Sequence, residues 1–486
     1  MEAFSNELNY ILLLPLLAVI GILMARRWPN VREGVSIITG ILVFYFTWRV
    51  YQQVAQNNIV ELKWLEILPG LSLHFKVDAL GAVFSLVAGF LWIITTLYAI
   101  GYMRGHDEKH QTRFYSCFAI AISAAMGVAY SENLFTLFVF YEILTLSTYP
   151  LVTHAGTDKA KEGGRTYLGI LISTSIFLFL PAIIITWVVA GTLSFSQGGV
   201  FTTSTSTILM SFLLILYVFG VGKAALMPIH RWLPAAMVAP TPVSALLHAV
   251  AVVKAGVFSV LKICVFIFGA DALQNLEITQ WLIYIAGFTI LMSSLIAMRQ
   301  DNLKKRLAYS TISQLGYVTL GALLISQSAV VGSTLHIVMH AFGKITLFFC
   351  AGAIYVAHHK TQVSEVDGMG KVMPLTFAAF GLASLSIIGL PPLGGMWSKW
   401  FLMLGSLDSG YFSMLIVLSI SSLLNIVYLL EIPARAFFKP APENARLEEA
   451  PSISVLAIMI TSLMCIAMFV YASDLHQFLL EAGLGS

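Results

Sequence analysis

Charge is what this sequence has least of. Only 10% of its 486 residues are Asp, Glu, Lys or Arg, and 58% are hydrophobic, whereas a soluble globular chain carries about 25% charged residues. So few charges cannot cover a chain of this length in water, which excludes a large soluble head, a nucleic-acid-binding surface and a cytoplasmic catalytic domain. A formal net charge of +3 is too small to imply a polyanionic partner. Cysteine is nearly as scarce. Cys117, Cys264, Cys350 and Cys465 all fall inside apolar runs at no metal-ligand spacing, which points to packing at lipid depth rather than to disulfides or a metal centre. No phosphate-binding glycine loop and no haem or iron–sulfur cysteine pattern occurs. No cofactor or metal is therefore expected, and catalysis on a soluble substrate has no visible home.

What the chain does have is apolar runs long enough to cross a bilayer, for which about 20 residues suffice. Fourteen can be traced, from 8–24 to 453–473, and they predict an all-α polytopic membrane protein. The opening MEAFSNELN is acidic while Arg26 and Arg27 follow the first run, the reverse of a cleaved signal peptide. Alternate loops hold nineteen Lys and Arg against three (Arg49, Lys63 and Lys76) on the other side. That asymmetry would collapse if one helix were missed or invented, and it predicts that both termini face outside. Between the second and third runs, ELKWLEILPGLSLHFKVD alternates apolar and polar residues around Pro69-Gly70, as either a short hairpin or an interfacial loop would.

The scarce charges then matter by depth. Lys223, Lys254, Lys262, Lys344 and Lys399 lie within predicted spans, as do Glu142, His248, His336 and His340. A Lys or acidic group at mid-membrane costs about 2.5–3.5 kcal/mol on insertion scales, so these residues call for a function. Lys262 is ambiguous, because a lysine eight residues beyond Lys254 can bend its head to the interface. His336, His340 and Lys344 recur every four residues and project along one helix face, where titratable groups could hand on a proton.

Helix breakers accompany two of the lysines. Pro228 follows Lys223 within the run 207–232 and Pro234 lies just beyond it, while Gly389, Pro391, Pro392, Gly394 and Gly395 precede Lys399 within 374–404. Proline in a spanning helix frees a carbonyl that protein or water must satisfy, so both spans read as discontinuous helices lining a hydrated interior. These are the seventh and twelfth runs. A five-helix unit used twice with an odd offset would be an inverted repeat of the kind that places transporter sites at mid-membrane. On that pattern residues 1–106 hold helices 1–3 with the hairpin, 107–270 and 271–433 the two units, and 434–486 the last helix and the C-terminus.

The stretch GKAALMPIHRWLPAAMVAPTPVSALLHAVAVVKAGVF at 222–258 closely resembles the antiporter-like membrane subunits of respiratory complex I, membrane-bound hydrogenases and Mrp-type multisubunit cation/proton antiporters. FVFYEILTLSTYPLV around Glu142, LKKRLAYSTISQLGY at 303–317 and LHIVMHAFGKITLFFCAG at 335–352 support it. The resemblance implies a fourteen-helix fold with two inverted five-helix repeats and broken helices 7 and 12. It also implies a polar axis in which Glu142 and Lys223 form an ion pair, Lys254 is the central relay and Lys399 the terminal proton site, with His248, His336, His340 and Lys344 lining the connection. Lys399, where one complex I type has glutamate, and the short tail after the last span make the D-type membrane component of Mrp antiporters the nearest resemblance.

That resemblance implies exchange of protons for a monovalent cation such as Na+, alongside other membrane subunits, in a bacterial or archaeal cell membrane. The alternative is the proton-pumping subunit of a redox complex, and an inactive scaffold is disfavoured by the intact Glu142 and lysines. A Glu142–Lys223 pair about 4 Å apart would be worth about 4 kcal/mol at an effective dielectric of 20. No cluster marks a sodium site; Asp78, which also reads as a helix N-cap, is the nearest candidate.

Overall fold

The computed structural model describes residues 2–202, 204–441 and 446–484, and it is an all-α, multi-pass membrane protein. Among the described residues eleven helices are long and apolar enough to cross a membrane, from Asn6–Met24 to Ser452–Val470. The other three predicted spans depart from that standard for visible reasons. Residues 207–232 are regular helix only over Thr207–Gly220, and 374–404 divide into Pro374–Ile388 and Gly395–Asp408. Leu303–Leu324 is continuous, but it opens on Lys304, Lys305 and Arg306 and buries Ser310, Thr311, Ser313, Gln314 and Thr319, so its apolar character is weak.

The long helix Gln327–His358 forms the core. Its N-terminus is capped by Ser326, whose side chain accepts from the Ala329 amide, and it is buried from Ala329 through Ile354. Around it pack Ala79–Gly105, Leu303–Leu324, Pro374–Ile388, Gly395–Asp408 and Ser452–Val470. A helix apolar on every side must be enclosed by others or by lipid, and here protein encloses the one that carries His336, His340 and Lys344. The outer helices turn Leu17, Ile20, Met24, Ile38 and Ile41 outward, a surface that only hydrocarbon tolerates at this extent.

The alternation around Pro69-Gly70 resolves as a hairpin. Strands Glu61–Leu68 and Leu71–Lys76 pair antiparallel with Glu61 opposite Lys76 and Leu68 opposite Leu71, and Gly70 takes φ +81° at the turn, a conformation glycine adopts without a Cβ clash. Trp64 Nε1 donates to Asn9 Oδ1 at 2.8 Å and ties the hairpin to the first helix.

The loops that the charge count groups together do adjoin. On one end of the bundle, Arg104 pairs with Glu33, Arg113 donates to the His154 carbonyl and Arg435 pairs with Asp367. A cleft of about 450 Å³ there joins His106, Glu108, Thr157, Lys159, Lys304 and Lys360. Burial raises the Glu108 carboxyl, against the pull of His106 and Lys304. At the other end a cavity of about 540 Å³ joins the hairpin end to Asn57, Asn58, Ser131 and Glu132. These ends are called the basic face and the hairpin face below. Among the described residues the four cysteines are free thiols.

Candidate functional site

The break after Gly220 builds the first part of the site. The chain leaves the helix, makes a single turn over Gly222–Ala224 and reverses through Ala225 at φ +55°. Interrupting a helix at lipid depth frees backbone groups that need partners, and side chains supply them. Trp232 Nε1 donates to the Gly222 carbonyl at 3.0 Å, and the Lys223 amide donates to Tyr141 Oη at 3.1 Å. The Lys223 side chain, fully buried, then points at the helix Leu134–Val152. Its ammonium donates to the Tyr141 carbonyl at 2.8 Å and to Thr145 Oγ1 at 2.6 Å, and it lies 3.0 Å from the Tyr141 ring centroid.

Here the sequence-based expectation is corrected. Among the described residues, Lys223 and Glu142 are not within ion-pair distance, and Glu142 Oε1 is buried with no hydrogen-bond partner. Glu142 follows Tyr141 on the helix, so consecutive side chains diverge by about 100°. Lys223 faces the Tyr141 and Thr145 side, not that of Glu142.

The second part lies across the long helix. Lys254 Nζ is 2.8 Å from His340 Nδ1. One turn earlier, the ring of His336 lies 5.7 Å from that of His340 and stacks on Tyr317 at 5.3 Å. His336 Nδ1 is 2.9 Å from Ser398 Oγ, which itself donates to the Gly395 carbonyl at 3.0 Å. A serine has one proton to give, so with Ser398 donating to Gly395 the Nδ1–H of His336 donates to Oγ, and among the described residues Nε2 has no partner. Lys344, one turn beyond His340, donates to Ser310 Oγ at 2.6 Å, where Tyr428 Oη also donates at 3.1 Å. His248 sits in a wide turn over Leu246–Val250 and packs against Phe348 at 4.5 Å, and among the described residues neither of its nitrogens has a hydrogen-bond partner.

The third part is the second break. The helix Pro374–Ile388 ends at Gly389 with φ +92°, and the Ile388 carbonyl freed there accepts from the Lys399 ammonium at 3.1 Å. Lys399 also donates to Ser422 Oγ at 2.9 Å and lies 5.0 Å from the centroid of the Tyr317 ring, the ring on which His336 stacks. Lys223, Lys254, Lys344 and Lys399 are each between 0% and 4% exposed. Lys254, His340, His336 and Lys399 are thus linked through ring and hydrogen-bond contacts, Lys344 lies one turn along the same helix, Lys223 has its own cradle, and among the described residues Glu142 Oε1 and both His248 nitrogens lack hydrogen-bond partners.

Over residues 131–425, which hold all of these residues, the chain matches the family described as "NADH:quinone oxidoreductase/Mrp antiporter, TM". The chain belongs to this family. Residues 64–115 match "NADH-Ubiquinone oxidoreductase (complex I), chain 5 N-terminus". Relatives within the antiporter-like family are of two kinds. NADH-quinone oxidoreductase subunit N of Desulforudis audaxviator is 33% identical over 390 residues, 79% of this chain and 76% of that protein. A probable K(+)/H(+) antiporter subunit, of the A/B type, from Rhizobium meliloti is 32% identical over 391 residues, 78% of this chain but 38% of that protein. A chain of the Mrp complex from Dietzia sp. shares the fold with TM-score 0.89 at 20% identity, covering 100% of this chain and 97% of that one.

For an antiporter-like subunit, the neighbours that sequence reasoning passed over are hydroxyls: Tyr141, Thr145, Ser310, Tyr317, Ser398 and Ser422. The run AYSTISQLGYVTLG carried a signal for two of them, since Ser310 and Tyr317 recur at seven-residue spacing on one helix face. Tyr141 and Thr145 flank Glu142 and were hidden by it.

Close backbone packing holds the first and second parts together. A Cβ added at Gly256 would run into the backbone of Lys223 and Ala224, atoms that cannot swing aside. Gly256→Ala is expected to cost about 1–3 kcal/mol, as overpacking does, and to lower the thermal unfolding midpoint of the purified protein. An unchanged midpoint would show that the two segments have room to part.

Proposed function

We propose that this chain is the proton-translocating subunit of a multisubunit monovalent cation/proton antiporter, with Na+ the expected cation. Its relay runs through Glu142, Lys223, Lys254 and Lys399, assisted by His248, His336, His340 and Lys344. The fourteen-helix arrangement in two inverted five-helix units, and both termini outside a bacterial or archaeal cell membrane, belong to the same proposal. The observation that carries it is the contact between Lys254 and His340, two proton-carrying bases 2.8 Å apart in the buried centre of the protein.

Each link suits proton transfer. In the proposed cycle Lys223 leaves the cradle of Tyr141 and Thr145, where neutral dipoles alone stabilise it, for the Glu142 carboxylate, which holds its charge. The pair is thus a gate whose closing favours the protonated lysine and whose opening favours release. Lysine fits the role because its pKa responds to burial, whereas arginine would stay charged. The unpartnered nitrogens of His248, His336 and His340 are groups that ordered water commonly satisfies in a polar interior, and water would close the gaps between links.

A second reading, the proton-pumping subunit of a redox complex, is favoured by the similarity to a quinone oxidoreductase subunit. The same relay serves both. Purifying the complex with its native partners separates them. Small hydrophobic membrane proteins alone support the antiporter; co-purifying flavin and iron–sulfur proteins overturn it in favour of the redox complex.

A further inference from the structure

Lys262 turns its head toward the hairpin-face end of the bundle, but an acidic partner holds it there. It is 1% exposed, and its ammonium is bound by Asp78 Oδ2 at 2.9 Å and the Ser131 carbonyl at 2.7 Å, with the Phe195 ring centroid 4.7 Å away. Asp78 is held in place by its other oxygen, which accepts from the Gly81 amide at 2.7 Å as the N-cap of Ala79–Gly105. That carboxylate lines the hairpin-face cavity of about 540 Å³ together with Ser131, Glu132, Phe195 and Lys262 itself. The Lys262 ammonium therefore borders the hairpin-face cavity.

Lys262 shares the helix Val252–Ile263 with Lys254, eight residues or about 12 Å along the axis. Between them the Phe258 ring stacks on Phe84 with centroids 5.1 Å apart, and Phe258 also lies 5.6 Å from the Lys262 ammonium. An apolar constriction of this kind closes a path by excluding water and opens when a ring turns. The pair adds little to stability, since Asp78 is 27% exposed and well-packed apolar residues often replace even a buried ion pair without loss. For a staple, moreover, arginine would pair with a carboxylate better than lysine does. What lysine adds is release of its proton.

We propose that Lys262, held by Asp78 and screened by Phe84 and Phe258, is a proton port joining the relay at Lys254 to the hairpin-face cavity. The proton on Lys262 leaves to water beside Asp78 when the ion pair opens, and Lys254 reloads the neutral amine when Phe258 turns. This rests on the relay reading above.

The test is proton flux through the complex, purified with its partner subunits and reconstituted in liposomes, with an internal pH-sensitive dye. Lys262→Arg keeps the ion pair but cannot deprotonate, and Lys262→Met removes both. Each should lower flux by about 100-fold, the low end of what a positioned proton-transfer group contributes. Lys262→His should retain flux with its pH profile displaced toward acid. Wild-type flux in the arginine variant overturns the port, as do equal losses in the methionine and histidine variants with an unshifted profile; the latter comparison decides if the arginine variant does not assemble. Lys223→Ala is the control: if it too keeps full flux, the relay reading itself fails, whereas its loss beside a normal arginine variant removes only the port.

Discussion

Lys223→Ala should abolish proton-coupled cation exchange while leaving the assembled complex intact. The first half follows from position, because no other group in the cradle of Tyr141 and Thr145 can carry a proton at neutral pH. A relay lacking one titratable link loses its function as a unit, so flux below about 1% of wild type is expected. The second half follows from what the truncation leaves behind. The Tyr141 carbonyl still accepts from Thr145 Oγ1 at 3.2 Å, and the backbone amide at position 223 still donates to Tyr141 Oη. No buried acceptor is orphaned, and a buried charge that costs free energy is removed, so the break over Gly222–Ala224 should survive. The measurement is dye-reported proton movement in inverted vesicles on adding Na+ or K+, with complex abundance read from the same membranes. Normal exchange would sink the relay, and loss of the complex would show the lysine to be structural.

How much of this was legible in the sequence depends on whether a feature is local. The two breaks were, because Pro228 and the Gly389 to Gly395 run forbid a continuous helix at those points. So was the His336, His340, Lys344 stripe, since a four-residue period fixes a face. Partnerships across the fold were not. Lys254 and His340 are 86 residues apart and Lys262 and Asp78 further still, and periodicity says which way a side chain points from its own helix without saying what meets it. The same limit explains Glu142. Its charge drew the expectation of a pair with Lys223, yet a rotation of one residue on the helix sends the lysine to Tyr141 and Thr145. The span count shows a different limit: a length of apolar sequence does not reveal that Thr207–Gly220 stops early, although the glycines and prolines beyond it do.

Lys254→Arg should be as damaging as Lys254→Ala, and that equality distinguishes a relay from an electrostatic filler. Lys254 is 1% exposed, and among the described residues its ammonium meets one titratable partner, His340 Nδ1. If the position needed only a positive charge, arginine would supply it and exchange would persist. If it needs a proton that arrives and leaves, arginine holds its own at any accessible pH and blocks transfer to His340. Both variants should then fall below about 1% of wild-type flux, at the loss expected for a positioned proton carrier. The coupling to His340 has its own signature. His340→Gln keeps an acceptor near Lys254 but cannot pass a proton on, so its flux should fall too, and the double variant Lys254→Ala with His340→Gln should be no worse than Lys254→Ala alone. Residues acting in series are non-additive in this way, whereas two independent structural contributions would multiply. Additive losses, or substantial exchange in Lys254→Arg, would therefore remove the 2.8 Å contact from the proton path and leave the buried lysine without a transport role.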